Sequence, residues 1–191
     1  MIIFSYKSLS IILLLASFSL GLSKEMLILD DLNNNGKTYQ NQNWLFVSDG
    51  VMGGLSEGIV YKDSISNIPC YRMTGNVTTK NNGGFLMTRT LLKPNLKAND
   101  YTGIYIKVYG NSEDYFLHLK TSFTPAVWQY YGYKFKAVKK WKEIKVPFAD
   151  FKRSNLYQPK SMSSQKIKNI AVVAGFNDYQ SDICFSEIGF Y

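Results

Sequence analysis

From residue 44 onward the chain sets apolar and polar positions in alternating short runs, separated by Gly, Asn, Asp or Pro, and no 12-residue stretch carries a helical period. A period of two sends successive side chains to opposite faces of a strand, so these runs predict half-buried β-strands. Ten strands are expected, at residues 43–48, 58–61, 70–78, 84–90, 103–109, 115–120, 128–136, 142–147, 167–176 and 183–190. Many short strands with turn signals between them predict an all-β chain, a β-sandwich or jelly roll, not a parallel sheet. The polar stretch 153–165, with Pro159 and several serines, predicts a long loop before the last two strands, and residues 33–36 read as a turn.

The alternation also assigns faces. Ile104, Ile106 and Val108 point one way and Tyr105, Lys107 and Tyr109 the other; in the next strand Tyr115, Leu117 and Leu119 oppose Phe116, His118 and Lys120. The aliphatic set predicts core. The opposite set is aromatic, and Trp128, Tyr130, Tyr131, Tyr133 and Phe135 extend it. Those rings either cover a second apolar layer or line an open groove, because Tyr and Trp offer flat apolar rings with a polar tip. Tyr105, Tyr109, Trp128 and Tyr130 are therefore candidate binding residues.

The start of the chain departs from this pattern. Lys7 precedes an uncharged apolar run over residues 9–22, which is 14 residues long and ends among Ser19, Gly21 and Ser23. A membrane-crossing helix needs roughly 18 to 20 residues, so the layout predicts a signal peptide over residues 1–23 and a secreted, periplasmic or envelope location. An uncleaved leader that anchors the chain to a membrane is the alternative. The first arginine is Arg72, whereas mitochondrial presequences are Arg-rich. Removing 23 of 191 residues leaves 168, the size of a single domain at 24–191, and lowers the net charge from +8 to +7.

Eleven Lys or Arg fall between residues 134 and 168, against Glu143 and Asp150, which predicts an electropositive side. Such a side is either a solvated face or an attraction for an anionic membrane surface, an acidic glycan or nucleic acid. Export argues against nucleic acid as a partner. Cys70 and Cys184 lie 114 residues apart; export permits a disulfide, while each also sits in a strand-like run where a buried thiol acts as a small apolar residue. No Cys/His spacing marks a metal site, and neither glycine-rich phosphate signature is present, so no metal or cofactor is expected.

Two glycine-rich runs stand out: Trp44-Leu-Phe-Val-Ser-Asp-Gly-Val-Met-Gly-Gly-Leu-Ser-Glu-Gly and Asn81-Asn-Gly-Gly-Phe followed by Arg89. Each alone reads as a tight turn, since Gly supplies positive φ and Asp and Asn bond nearby amides. Together, and in this order, they resemble the complex I intermediate-associated protein 30 family. The matching positions are Trp44, Ser48, Asp49, Val51, Met52, Gly53, Gly54 and Ser56, then Asn81, Gly83, Gly84, Phe85 and Arg89. Tyr101, Gly103, Ile104 and Gly110 follow, then Trp141, Val146, Pro147, Phe148 and Phe151, and the aromatic end Phe185-Ser-Glu-Ile-Gly-Phe-Tyr. The resemblance implies a galactose-binding-like jelly roll. It also implies a non-catalytic assembly factor or chaperone, the role of mitochondrial members toward the membrane arm of respiratory complex I. The leader departs from that pattern, because an exported chain does not meet matrix-side intermediates.

No enzyme signature accompanies the motif. The sole histidine, His118, stands mid-strand without a Ser, Cys or Asp arrangement, and no pair of carboxylates is singled out by spacing. Where the glycine-rich turns meet, Asp49, Asn81, Asn82 and Arg89 are candidate binding groups; the alternative is that Arg89 pairs with Asp49 or Glu57 and ties the loops together. Two functions are carried forward: a protein-binding assembly or chaperone domain with an unknown target, and a carbohydrate-binding module that uses an aromatic face.

Overall fold

The computed structural model describes residues 25–191. Among these residues twelve strands form, β1 (Leu27–Asp30), β2 (Leu45–Ser48), β3 (Glu57–Ile65), β4 (Ile68–Val77), β5 (Phe85–Leu91), β6 (Gly103–Gly110), β7 (Glu113–Thr121), β8 (Tyr131–Ala137), β9 (Lys142–Pro147), β10 (Lys152–Arg153), β11 (Ile167–Gly175) and β12 (Tyr179–Phe190). Sheet A runs β3-β4-β12-β6-β9, with β1 also paired to β12, and sheet B runs β10-β8-β7-β11-β5-β2. All pairings are antiparallel, and the two sheets pack as a jelly-roll β-sandwich. The signal-peptide expectation at residues 1–23 lies outside the described residues.

The core is built from the inward-facing residue of each alternating pair. Ile104, Ile106 and Val108 of sheet A meet Tyr115, Leu117, Leu119, Ile170 and Val172 of sheet B, all at most 1% exposed. Replacing any of the aliphatic side chains by Ala would remove buried methylenes and leave a cavity, at about 2–5 kcal/mol. Two strands escape the sequence pattern. Four-residue β1 and two-residue β10 are both too short to show a period. The β3–β4 hairpin turns at Ser66 and Asn67, both with positive φ, as a two-residue turn matched to strand twist requires.

Tyr105 and Phe116 do not share a face, a correction to the reading of one aromatic surface. The chain crosses from sheet A to sheet B at Asn111–Ser112, between β6 and β7. Their non-core sides therefore point out of opposite walls of the sandwich. Tyr105 is completely buried on the sheet A side, and its hydroxyl donates to Glu187 (2.9 Å), which also pairs with Lys107 (2.6 Å). Glu187 sits where the β12–β6 register shifts between Phe185 and Ile188. Tyr109 packs on Trp141, whose indole donates to the Ile65 carbonyl (3.1 Å). Trp128 lies before β8, not within a strand.

Sheet A is cross-linked on its outer side. Arg72 of β4 bonds Asp182 of β12 through two nitrogens (2.8 Å each) and Asp63 of β3 (2.8 Å). A disulfide joins Cys70 to Cys184 across the same β4–β12 pair, with both residues buried. In the chain-entropy model, a closure of this length contributes about 4–5 kcal/mol. Replacing both cysteines by Ala should therefore lower the unfolding free energy by about 4 kcal/mol in urea melts under non-reducing conditions, with dithiothreitol affecting only the parent protein. Equal stability of the two proteins would show that the bridge adds nothing.

Candidate functional site

The first glycine-rich run is a clasp built around one carboxylate. Ser48 caps a 3₁₀ turn over Asp49–Met52, its Oγ accepting from Gly50 N, and Gly53 closes the turn with φ +86°, a value that favours glycine. This turns Asp49 inward to zero exposure. Its carboxylate accepts from Ser56 N (2.9 Å), Ser56 Oγ (2.5 Å), Phe85 N (3.2 Å) and Gly84 N. Ser56 Oγ in turn accepts from Thr78 N (3.0 Å), and Asp178 accepts from the amide and hydroxyl of Thr79 (2.7 Å each). A Cβ on Gly54 or Gly83 would collide with the Asp49 carboxylate, so the two turns close around it only because both positions lack side chains.

Burial works against ionisation of Asp49, but the bonds from Ser56, Gly84 and Phe85 outweigh it and hold the carboxyl below its ordinary value. Asp49 is thus a structural tie with no accessible acceptor left for a ligand. The glycine-rich turns do meet, with Asn81 Nδ2 donating to Gly53 O (3.5 Å), and Asn81 and Asn82 are exposed at positive φ. Arg89 is not part of the clasp: it pairs with neither Asp49 nor Glu57 but stands on β5 opposite Leu45 and Ala171. Trp44 is likewise structural, packing edge-on to Phe185 (5.1 Å) and donating to buried Asp30 (2.6 Å).

Arg89 leads instead to the outer face of sheet B. Strand registers place side chains there in cross-strand rows. One row runs Val47, Met87, Val173, Phe116, Lys134; the next runs Leu45, Arg89, Ala171, His118, Gly132; a third holds Leu91, Asn169 and Lys120. Tyr130 folds back onto this face and stacks on His118, with centroids 3.7 Å apart and planes 12° apart. Gly132 makes room, since a Cβ there would come within 3.1 Å of the Tyr130 ring. The loop after β10 grips the Tyr130 backbone from both sides: Tyr130 N donates to Ser154 Oγ (3.1 Å) and Gln158 Nε2 donates to Tyr130 O (3.0 Å). Phe176 meets Phe116 edge-on at 4.8 Å and is half exposed, and Trp128 is 65% exposed nearby in sequence.

The electrostatics of this face are unusual. Lys134 pairs with Asp114 (2.7 Å), but no ion pair among the described residues engages Arg89 or Lys120, and residues 1–24 contain neither Asp nor Glu. Lys120 donates to the carbonyls of Ala126 (2.7 Å) and Val127 (3.2 Å). Burial, and then the Arg89 charge, push its amine below the ordinary lysine value. Arg89 Nε and His118 Nε2 are buried without a hydrogen-bond partner. The histidine's near-total burial pushes its pKa down to about 3, so it is neutral at physiological pH.

Of the eight candidate binding residues, the structure brings Arg89 and Tyr130 to one face, leaves Asn81 and Asn82 at the clasp and Trp128 exposed ahead of β8, buries Asp49 and Tyr105, and sets Tyr109 on the far wall. Met87, Lys120 and Phe176 join this face without having been singled out. The period-two pattern of 84–90 and 115–120 contained the signal for Met87 and Lys120. Among the described residues, no group of three His, Cys, Asp or Glu is placed to hold a metal ion.

In architecture the chain is a galactose-binding-like jelly roll. The family 11 carbohydrate-binding module of the cellulosomal cellulase Lic26A-Cel5E of Clostridium thermocellum superposes with TM-score 0.69 at 18% identity, covering 88% of this chain and 95% of that one. The same family's module in complex with a β-1,3-1,4-mixed-linked tetrasaccharide gives TM-score 0.68 at 17% identity, over 86% and 94%. An agarase, AgWH50C, matches over 88% of this chain but 25% of its own, with TM-score 0.59 and 9% identity. No curated protein matches in sequence. Residues 33–184 match the model of Complex I intermediate-associated protein 30 (CIA30), and the chain belongs to that family.

Two predictions test the site. Asp49→Ala leaves the Ser56, Gly84 and Phe85 amides without their acceptor and should cost about 3 kcal/mol in denaturant melts, with the loops of residues 50–55 and 79–84 losing hydrogen-exchange protection first. A change below 0.5 kcal/mol would contradict the clasp. The second concerns His118. An unfolded histidine takes up a proton near pH 6.5 and the folded one only near 3, so the stability tied to His118 is complete above pH 6.5 and drains away on acidification toward 3. The protein should lose up to about 1.4 kcal/mol per pH unit between pH 6 and 4.5, and His118→Phe should flatten that slope. Identical slopes in the two proteins would refute the assignment.

Proposed function

We propose that this protein is a non-catalytic docking domain that holds a protein partner against the outer face of sheet B, in the manner of an assembly factor. The observation that carries the reading is the composition of that face. Leu45 and Leu91 are half exposed, Met87 and Phe116 partly so, the lysines stand at the sides, and no carboxylate lies in the three rows. Apolar and aromatic side chains with Met and Arg, poor in acids, suit the core of a protein interface. Membership of an assembly-protein family supports the same reading. The apolar N-terminal run and the disulfide support export, which would put the partner outside the cytoplasm and apart from matrix-side complex I intermediates.

Carbohydrate binding is the second reading. It is favoured by exposed Trp128, two residues ahead of the Tyr130 that stacks on His118, and by a fold neighbour solved with a tetrasaccharide. A neutral sugar, however, asks for amides and carboxylates among the rings, and these rows offer only buried Asn169.

The test uses the mature chain as bait in envelope extracts, alongside a glycan array. The parent protein and Ile59→Glu, changed on sheet A, should retain one dominant protein. Met87→Glu with Phe116→Glu should lose it at least 10-fold while melting normally, and the array should be blank. Glycan binding without a dominant protein, or capture insensitive to the double change, would reverse the conclusion.

A further inference from the structure

Resting on the docking reading, we infer that the outer face of sheet B takes an acidic segment of its partner, with Arg89 and Lys120 receiving carboxylates beside the apolar strip of Met87, Val173 and Phe116. The argument begins with what the two cations lack. Among the described residues Arg89 makes no side-chain hydrogen bond, although its guanidinium carries five donors and its Nε is shut off from water. Lys120 meets only two backbone carbonyls, which neutralise no charge. The chain has carboxylates to spare for other cations: Arg72 receives two, Lys107 one, and Lys134 and Lys136 share Asp114. Arg89 and Lys120 receive none.

Register explains how they act together. Arg89 of β5 faces Ala171 and Lys120 of β7 faces Asn169, so the two flank the same stretch of β11, diagonally across it. Ala171 is too short to separate them, and the Arg89 charge is felt at the Lys120 amine. Two like charges over a common strand, one with a buried unsatisfied donor, repel each other in the free protein. An anion between them removes the repulsion. The guanidinium fork matches a carboxylate in two bonds, and Lys120, pinned through Ala126 and Val127, adds a fixed point charge.

The neighbouring row decides which anion carrier fits. Val47, Met87, Val173 and Phe116 are apolar and continuous. A polypeptide can place Leu or Phe against that row and Asp or Glu on the next. An acidic glycan would bring hydroxyls to a strip with nothing to bond them. The pairing is charge-complementary and should weaken with salt.

The test titrates the ¹⁵N-labelled mature chain with hexaglutamate, with uncharged hexaglutamine and with oligogalacturonate, read as amide shift changes. Hexaglutamate should move the amides of Arg89, Lys120, Asn169 and Ala171, bind several-fold more weakly at 300 mM than at 50 mM salt, and lose about 10-fold in affinity in Arg89→Gln or Lys120→Gln. Lys145→Gln, on the edge of sheet A, should change nothing. Hexaglutamine should be silent. Tighter binding of oligogalacturonate at the same amides would overturn the inference in favour of an acidic glycan, and hexaglutamate shifts centred elsewhere, or unmoved by Arg89→Gln, would overturn it outright. The docking reading fails separately: if Met87→Glu with Phe116→Glu abolishes partner capture while Arg89→Gln and Lys120→Gln leave it intact, only the acidic partner is lost.

Discussion

Two stacked sheets bury their inner faces against each other and nothing else, and that limit organises the whole molecule. Each strand can hand only every second residue to the shared core, so the remaining residues must be covered by loops, tied by polar bonds or left for a partner. Sheet A takes the first two courses: Tyr105 is buried and bonded to Glu187, Trp141 lies on Tyr109 and reaches Ile65, Arg72 joins three strands, and the disulfide staples two. Sheet B is treated differently. Its outer rows are covered only in part, by Tyr130 and Phe176 around His118, and they retain a strip of apolar residues next to two uncompensated cations.

The family motif belongs to the first kind of residue. A buried carboxylate is costly unless its lone pairs are filled, and Asp49 is tolerated because three backbone amides and a hydroxyl fill them. The glycines at 54 and 83 are there because a larger residue would displace that carboxylate, and Ser48 and Gly53 set the turn that aims it. The motif is thus accounted for by the joining of two loops, except for Trp44, which packs on Phe185 and bonds Asp30, for Val51 and Met52, which the turn holds 75% and 62% exposed at its tip, and for Arg89, which stands on the outer face of β5.

Period-two alternation made ten strands legible, and it assigned Ile104, Ile106, Val108, Leu117 and Leu119 to the core where the structure has them. It could not say which strands share a sheet. Consecutive strands usually pair, so β6 and β7 read as neighbours on one surface; the chain instead changes sheets between them, and Tyr105 and Phe116 part company. The site suffered for the same reason. The cross-strand rows that bring Arg89, Ala171 and His118 into line depend on β11 inserting between β5 and β7, a pairing separated by about fifty residues or more in sequence, and no local pattern announces it. The two glycine-rich runs were visible as turns that meet, but composition alone does not reveal that Asp49 faces inward.

His118 shows how the open face is kept in shape. A histidine placed mid-strand on an outer face would ordinarily be solvated and titrate near neutrality. Here Gly132 leaves a gap in the facing strand, the loop at Ser154–Gln158 pulls Tyr130 back across it, and the resulting stack withdraws the imidazole from water. The imidazole stays uncharged, so it adds nothing to the repulsion between Arg89 and Lys120 that an incoming carboxylate would relieve. The polar loop before the last strands therefore has a definite task. By holding one ring over one histidine, it keeps a neutral, already ordered floor beside two cations, which would spare an incoming partner the cost of ordering it.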